Sequence, residues 1–258
     1  MNSRLQRALP IINIVTTVAV ITINILANAL PLNGLDTGEI SDRFEIYFVP
    51  AGYVFSIWGL IYLGMIAFTV YQALPLQRDN KTVQSIGLLY ALSGVGNITW
   101  IFLWHYEVFT LTLVPMLVIL GSLIAIFLKI WAHRTELSLA ERWTIAVPFS
   151  VYLGWISVAT VANATQLLYY LDWGQWGLSA EVWAIVMLLI AAAIAVIMSI
   201  RHGNLAYAAV FVWAYVGIAI KHNDVNAVML PAAMLAGIIA LAGIAGVPLS
   251  KGRRMPQS

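Results

Sequence analysis

The chain has 258 residues, 62% hydrophobic and 9% charged, with a mean hydropathy of +0.89. A soluble domain carries roughly 25% charged residues, so this composition excludes a water-facing globule, a disordered chain and a nucleic-acid binder. It points to a polytopic membrane protein. The balance of 13 Lys+Arg against 11 Asp+Glu leaves +2, and Cys is 0, which excludes disulfides, thiolate metal sites and cysteine nucleophiles.

A helical span needs about 20 mainly apolar residues. Eight segments qualify: about 9–30, 48–74, 83–105, 109–132, 143–168, 181–200, 204–220 and 225–248. Continuous apolar runs of that length read as helices. The strands of a membrane β-barrel would alternate over about 10 residues. The predicted fold class is therefore an all-α integral membrane protein of about eight transmembrane helices.

The first span carries Asn13, Thr17, Asn24 and Asn28 on one helix face. A cleaved signal peptide is the rival reading, since Arg4 and Arg7 precede the run and Ala27-Asn28-Ala29 resembles a cleavage site. A polar stripe favours a packed helix, because interhelical hydrogen bonds satisfy it. The connection from Pro31 to Tyr47 holds Asn33-Gly34, Thr37-Gly38 and four acids. It reads as a loop with a short helix near Ser41–Ile46. The next spans put Phe55 and Trp58 on the second, Asn97 and Trp100 on the third, and Trp155, Ala159, Asn163 and Gln166 on the fifth.

Charges sort by side. With the N-terminus inside, 11 bases fall on inner segments, among them Arg78, Lys81, Lys129, Arg134, Arg142, Arg201, Arg253 and Arg254. The outer segments hold 2 bases, Arg43 and Lys221, and 8 acids: Asp36, Glu39, Asp42, Glu45, Glu107, Asp172, Glu181 and Asp224. The basic asymmetry predicts both termini cytoplasmic, which requires an even number of spans.

No Gly-rich phosphate loop, HExxH or G-x-S-x-G appears, and the span centres carry no ionisable residue. Coupled transporters usually carry such groups at mid-membrane. The chain is expected not to be an enzyme. What remains is amides and aromatics. Trp104, Trp173, Trp176 and Trp183 at the outer interface, with Trp131 and Trp143 at the inner one, read most simply as an aromatic belt. Trp58, Trp100, Trp155 and Trp213 lie deeper. His105 and His222 lie near the outer edge, His133 and His202 near the inner one. Either outer His is a candidate axial ligand if a haem were bound.

Three motifs resemble a known family. The stretch Phe48-Val49-Pro50-Ala51-Gly52-Tyr53-Val54-Phe55-Ser56-Ile57-Trp58, with Tyr62 after it, is similar to the second-helix signature of the TspO/translocator-protein family, the tryptophan-rich sensory proteins. Asn97-Ile98-Thr99-Trp100 resembles its third-helix Asn-x-x-Trp. Val147-Pro148-Phe149, then Trp155, Ser157, Ala159, Thr160 and Asn163, resemble its fifth helix. The motifs cover roughly residues 9–172. The resemblance implies a five-helix bundle at 1–172, leaving 173–258 as a three-helix extension with a basic tail. It implies a hydrophobic or tetrapyrrole ligand of porphyrin or haem type, a sensory or regulatory role, and ligand-binding residues Phe55, Trp58, Asn97, Trp100, Trp155, Ala159 and Asn163. Tyr169 and Tyr170 are followed by Leu171-Asp172-Trp173, without the base of the sterol motif proposed for the family. The expected partners are the lipid bilayer and a small hydrophobic ligand, with a homo-oligomer left open. A transporter or facilitator for a small hydrophobic molecule, a structural membrane subunit, and an enzyme acting on a tetrapyrrole are the rival readings.

Overall fold

The structure, a computed structural model, describes residues 3–30 and 32–252, with side chains over 8–30 and 32–250. The terminal bases Arg253 and Arg254, and the side chains of Arg4, Arg7 and Lys251, lie outside the described residues. Every described element is helical: α1 Ser3–Ala29, α2 Thr37–Asp42, α3 Ile57–Ala73, α4 Lys81–His105, α5 Phe109–Ala132, α6 Leu139–Glu141, α7 Val147–Tyr170, α8 Ala180–His202, α9 Leu205–Lys221 and α10 Asn226–Gly252. Helices suit a chain in lipid because each meets its own backbone hydrogen bonds. Among the described residues, 7 helices are long and apolar enough to cross a membrane; α9, at 17 residues, is a shorter apolar helix. Its length of roughly 25 Å falls just under the hydrocarbon thickness of about 30 Å.

Several edges differ from expectation for local reasons. The second span, expected from about residue 48, runs Gly52–Ala73 and opens with a tight turn at Gly52–Ser56 before α3 starts at Ile57. Pro50 has no N–H to give, and the Ala51 N–H donates to the Gly217 carbonyl at 3.1 Å. The short helix of the first loop is Thr37–Asp42, earlier than the expected Ser41–Ile46. Asp36 fixes its start: the Asp36 side chain accepts from the Gly38 and Glu39 N–H groups, and Glu39 returns a bond to the Asp36 N–H. The fifth span begins earlier than expected, at a Ser138–Glu141 capping box. Its path continues through a π-turn at Arg142–Ala146, where the Val147 N–H reaches back to the Arg142 carbonyl. Pro148 follows directly; a wider turn is a usual accommodation next to a residue that cannot donate.

The chain divides into two compact units. The first is Met1–Arg43 with Ile57–Ile156; the second is Phe44–Ser56 with Ser157–Ser258. This boundary follows contacts and falls inside α7, whereas the expected division at 172/173 followed the resemblance.

In the first unit α1 packs on α3 and α4, and α4 packs on α5. The polar face of α1 is the seam. Asn13 Nδ2 donates to Gln72 Oε1 at 2.9 Å. One turn on, the Thr17 hydroxyl shares a 2.6 Å bond with that of Thr69 and also bonds the Tyr90 hydroxyl. Two turns further, Asn24 Nδ2 donates to Asn97 Oδ1 at 2.7 Å. Asn28 Oδ1 then accepts the Thr37 N–H at 3.1 Å, tying the first loop to the helix end. Asn13, Thr17 and Asn24 are all buried. Gly94 lets α4 close on α1, since a Cβ there would lie 2.1 Å from Thr16 Cγ2. Phe68, Tyr90 and Phe149 complete the core with mutual ring contacts at 5.0–5.9 Å.

In the second unit α8, α9 and α10 pack against one another. Gly246 sets the closest approach: a Cβ there would fall 2.0 Å from the Ser199 carbonyl oxygen. The Tyr215 hydroxyl donates to the Leu188 carbonyl at 2.6 Å and the Tyr207 hydroxyl to Ser157 at 3.0 Å. The 44–56 segment belongs here. Trp213 Nε1 donates to the Val54 carbonyl at 3.0 Å, Tyr53 meets the Trp213 ring at 5.3 Å, and Phe48 meets Tyr215 at 6.4 Å.

Two outcomes follow for this architecture. Asn13 Oδ1 and Gln72 Nε2 have no hydrogen-bond partner, so Gln72→Leu strands the whole Asn13 amide in an apolar seam. It should lower stability by about 1–3 kcal/mol, whereas Asn13→Leu combined with Gln72→Leu should cost less than the single change. Thermal unfolding of the three variants in detergent measures this, and a double variant weaker than both singles would contradict it. For sidedness, Leu139 and Trp176 are 73% and 79% exposed, at opposite ends of the fifth span. On the Cys-free background, an impermeant thiol reagent applied to intact cells should label Trp176→Cys and leave Leu139→Cys unlabelled until lysis. The reverse pattern would invert the expected orientation.

Candidate ligand-binding site

The seven residues implied by the resemblance are distributed over both units. Trp58, Asn97, Trp100 and Trp155 belong to the first, and Phe55, Ala159 and Asn163 to the second. In the first unit, the half-buried Trp58 starts α3. Its ring stacks on Tyr62 at 5.6 Å and meets Tyr152 and Trp155 edge-on at 6.0 and 6.5 Å. Trp155 is only 2% exposed, so it is core as well as neighbour. Asn97 is buried and accepts from Asn24, which makes it part of the helix seam. Trp100 is half-buried and stacks on Trp104 at 5.2 Å, and Trp104 in turn donates its Nε1 to the Thr37 carbonyl at 3.3 Å. In the second unit, Phe55 lies on the tight turn before α3 and is half-buried, as is Ala159; Asn163 is buried on α7.

His105 does not offer an axial position for haem. It is fully buried; Nε2 bonds the Thr37 hydroxyl at 3.1 Å and Nδ1 bonds the Leu32 carbonyl at 3.2 Å. Both ring nitrogens are therefore engaged. His222 is half-buried, with its ring 5.2 Å from Tyr47. Desolvation by burial pushes its pKa below the usual imidazole range, and neighbouring Lys221 pushes the same way. It is held neutral. Among the described residues no group of three or more His, Asp or Glu is placed to hold a metal.

A cavity of about 490 Å³ opens in the second unit. The 44–56 segment forms one wall with Glu45, Ile46, Tyr47 and Phe48. The end of α7 brings Thr165, Leu168, Tyr169 and Asp172. The turn after it brings Trp173, Gly174 and Gln175, and the start of α8 brings Ala180, Trp183, Ala184 and Met187. None of the seven expected residues lines it. Sequence reasoning placed Trp173 and Trp183 in an aromatic belt. Their local density with Trp176, next to Asp172, was the available signal.

The turn is held in an unusual shape. Asp172, Gln175 and Trp176 have φ of 52°, 52° and 51°, followed by Gly177 at 76°. Side-chain-bearing residues in this left-handed region each cost of order 1–3 kcal/mol when the surroundings enforce it. What enforces it is an indole cluster. The Trp173 and Trp183 rings meet at 4.9 Å and 59°, and Trp176 contacts both at 5.4 and 5.5 Å. Trp183 Nε1 donates to the Gln175 carbonyl at 2.7 Å. Trp173 and Trp183, both in the cavity wall, are thus two inclined rings in contact with each other.

The acidic character of this region is visible in Tyr47. Burial raises its hydroxyl pKa first, and the Glu181 and Asp224 carboxylates raise it further; Glu181 also accepts its hydrogen bond at 3.4 Å.

A family model described as TSPO-like protein matches residues 10–245. The chain belongs to the TSPO-like family. The match runs on through α8, α9 and most of α10, so these helices fall inside the family pattern, although the three motifs end near residue 172. No curated protein and no solved structure matches the chain.

If the Trp183 bond pins the turn, Trp183→Phe keeps a ring and removes the donor to Gln175. Chemical or thermal unfolding should show a loss of about 1 kcal/mol, with near-ultraviolet circular dichroism reporting a loosened Trp173–Trp176 pair. An unchanged spectrum and midpoint would show that the turn holds itself.

Proposed function

We propose that this TSPO-like membrane protein binds a small hydrophobic ligand and acts as a sensor or regulator, with a tetrapyrrole as the finer reading taken from the family resemblance. The observation that carries this reading is the cavity of the second unit. Its volume falls in the usual range of small-molecule sites, about 300–1,000 Å³, and so does its chemistry, mainly apolar and aromatic with a few polar groups. Tyr47, Phe48, Tyr169, Trp173 and Trp183 supply the rings, while Thr165, Gln175, Glu45 and Asp172 supply polar edges. The strained turn supports pre-organisation, because a wall already ordered spares the ligand the cost of ordering it. Capture followed by a change in partner contacts, with no chemistry on the ligand, is the mechanism that goes with a binding role. Positive-inside sidedness would place this cavity toward the outer face.

The residues assigned by the resemblance give the reading its competitor. A protoporphyrin added to the protein in nonionic detergent should quench tryptophan fluorescence saturably. Trp173→Leu, which removes one wall of the cavity, should raise the half-quenching concentration about tenfold, equivalent to roughly 1.4 kcal/mol. Trp143→Leu, at an exposed position with 66% of its surface free, should leave it unchanged and controls for partition into the micelle. A response to Trp58→Leu and Asn163→Leu in place of Trp173→Leu would move the site to the residues assigned by the resemblance. Equal midpoints for all variants would remove the ligand-binding function.

A further inference from the structure

We infer that the cavity of the second unit selects an organic cation: an amine or quaternary ammonium group carried on a small apolar body. The inference rests on the ligand-binding reading above and names the chemistry of the same site.

Three observations on the lining lead to it. Its charged residues are both carboxylates, Glu45 and Asp172, and no Lys, Arg or His lines it. Five of its residues are aromatic, and two of these, Trp173 and Trp183, set their indole faces at 59° with centroids 4.9 Å apart. A cation over an aromatic face is attracted by the ring quadrupole, most strongly over Trp, and cages of inclined rings are how proteins take quaternary ammonium groups. The third observation is a further acid beside the wall: the Tyr47 hydroxyl donates to Glu181 at 3.4 Å, and its pKa is raised by burial and then by Glu181 and Asp224. The bases at the end of α9, Lys221 and His222, stay outside the lining, and burial lowers the His222 pKa.

Alternatives fit these residues less well. An anionic ligand would meet two carboxylates and no donor of positive charge. A neutral apolar ligand would use the rings, but it would leave Glu45 and Asp172 without a role and would lose hydration of their carboxylates on entry. A cation with an apolar body uses both: its body rests on Phe48, Leu168 and Met187, and its head meets the indole corner with the carboxylates at the rim. Both carboxylates are exposed, so they steer and discriminate rather than form a buried pair, and added salt weakens that contribution.

The test compares benzyltrimethylammonium with its uncharged carbon isostere, neopentylbenzene, on the full chain in nonionic detergent, read by tryptophan fluorescence and by calorimetry. The cation should bind about tenfold or more tightly than the isostere. The double variant Glu45→Gln with Asp172→Asn should narrow that gap severalfold by weakening the cation alone, the remainder being the attraction of the rings. Asn tolerates the left-handed backbone at 172, and a circular-dichroism spectrum unchanged from wild type verifies the fold. Trp173→Leu should weaken both ligands, because it removes a wall that both use. Binding of both ligands with equal affinity to the wild type overturns the cation selectivity and leaves the hydrophobic site standing. A cation preference undiminished in the double variant overturns the role of these carboxylates. Failure of both ligands to bind overturns the inference together with the reading it rests on.

Discussion

In a bilayer there is no water to satisfy a stray hydrogen-bonding group, so backbone groups in the hydrocarbon must find their partners within the chain, and buried polar side chains gain by doing so. The backbone answers with helices, and the side chains answer along the seam of α1. Asn13, Thr17 and Asn24 occur in a run that is otherwise apolar, and each is met from another helix: by Gln72, by Thr69 and Tyr90, and by Asn97. Individually such bonds average only about 0.6 kcal/mol. Their larger effect is on register. Apolar helices in lipid slide and rotate at little cost, while a ladder with three fixed rungs permits one alignment. The rest of the first unit inherits that alignment: Gly94 can close on Thr16, and Phe68, Tyr90 and Phe149 can interlock.

Much of this was legible because the driving signals are strong and local. Long apolar runs mark helices wherever they fall, and the 4–7–4 spacing of Asn13, Thr17, Asn24 and Asn28 marks a face. The family followed from motifs of the same local kind. Edges were harder to read, because they depend on which partner a backbone group finds. Just ahead of the second span the Ala51 N–H bonds a carbonyl far along the chain, at Gly217, and no window around residue 51 contains that information. The first-loop helix starts at Thr37 because Asp36 caps it, a signal that Asp36 and Glu39 carry in the sequence.

The site was less legible than the fold, for a physical reason. Depth along a helix can be estimated from sequence, while azimuth and neighbours cannot. Asn97 and Trp155 read as pocket residues by depth and motif, yet one is bonded to Asn24 and the other is almost fully buried. Trp173, Trp176 and Trp183 read as belt residues by depth, yet they gather into one cluster beside a cavity. The left-handed backbone at Gln175 and Trp176, in the turn that joins these rings, has no composition signal, since neither residue type favours it.

The threading of residues 44–56 has a consequence for how the protein is made. This short segment comes early, yet its bonds are to α9: Trp213 to Val54, and Gly217 to Ala51. The first of these joins residues 159 positions apart. At synthesis rates of about 5–20 residues per second, the partner follows roughly ten to thirty seconds later. Through that interval the helices on either side of the segment can already be in the membrane, while a stretch holding Phe48, Tyr53 and Phe55 waits without its mates. One wall of the cavity, Glu45 to Phe48, therefore takes its final form only when α9 arrives.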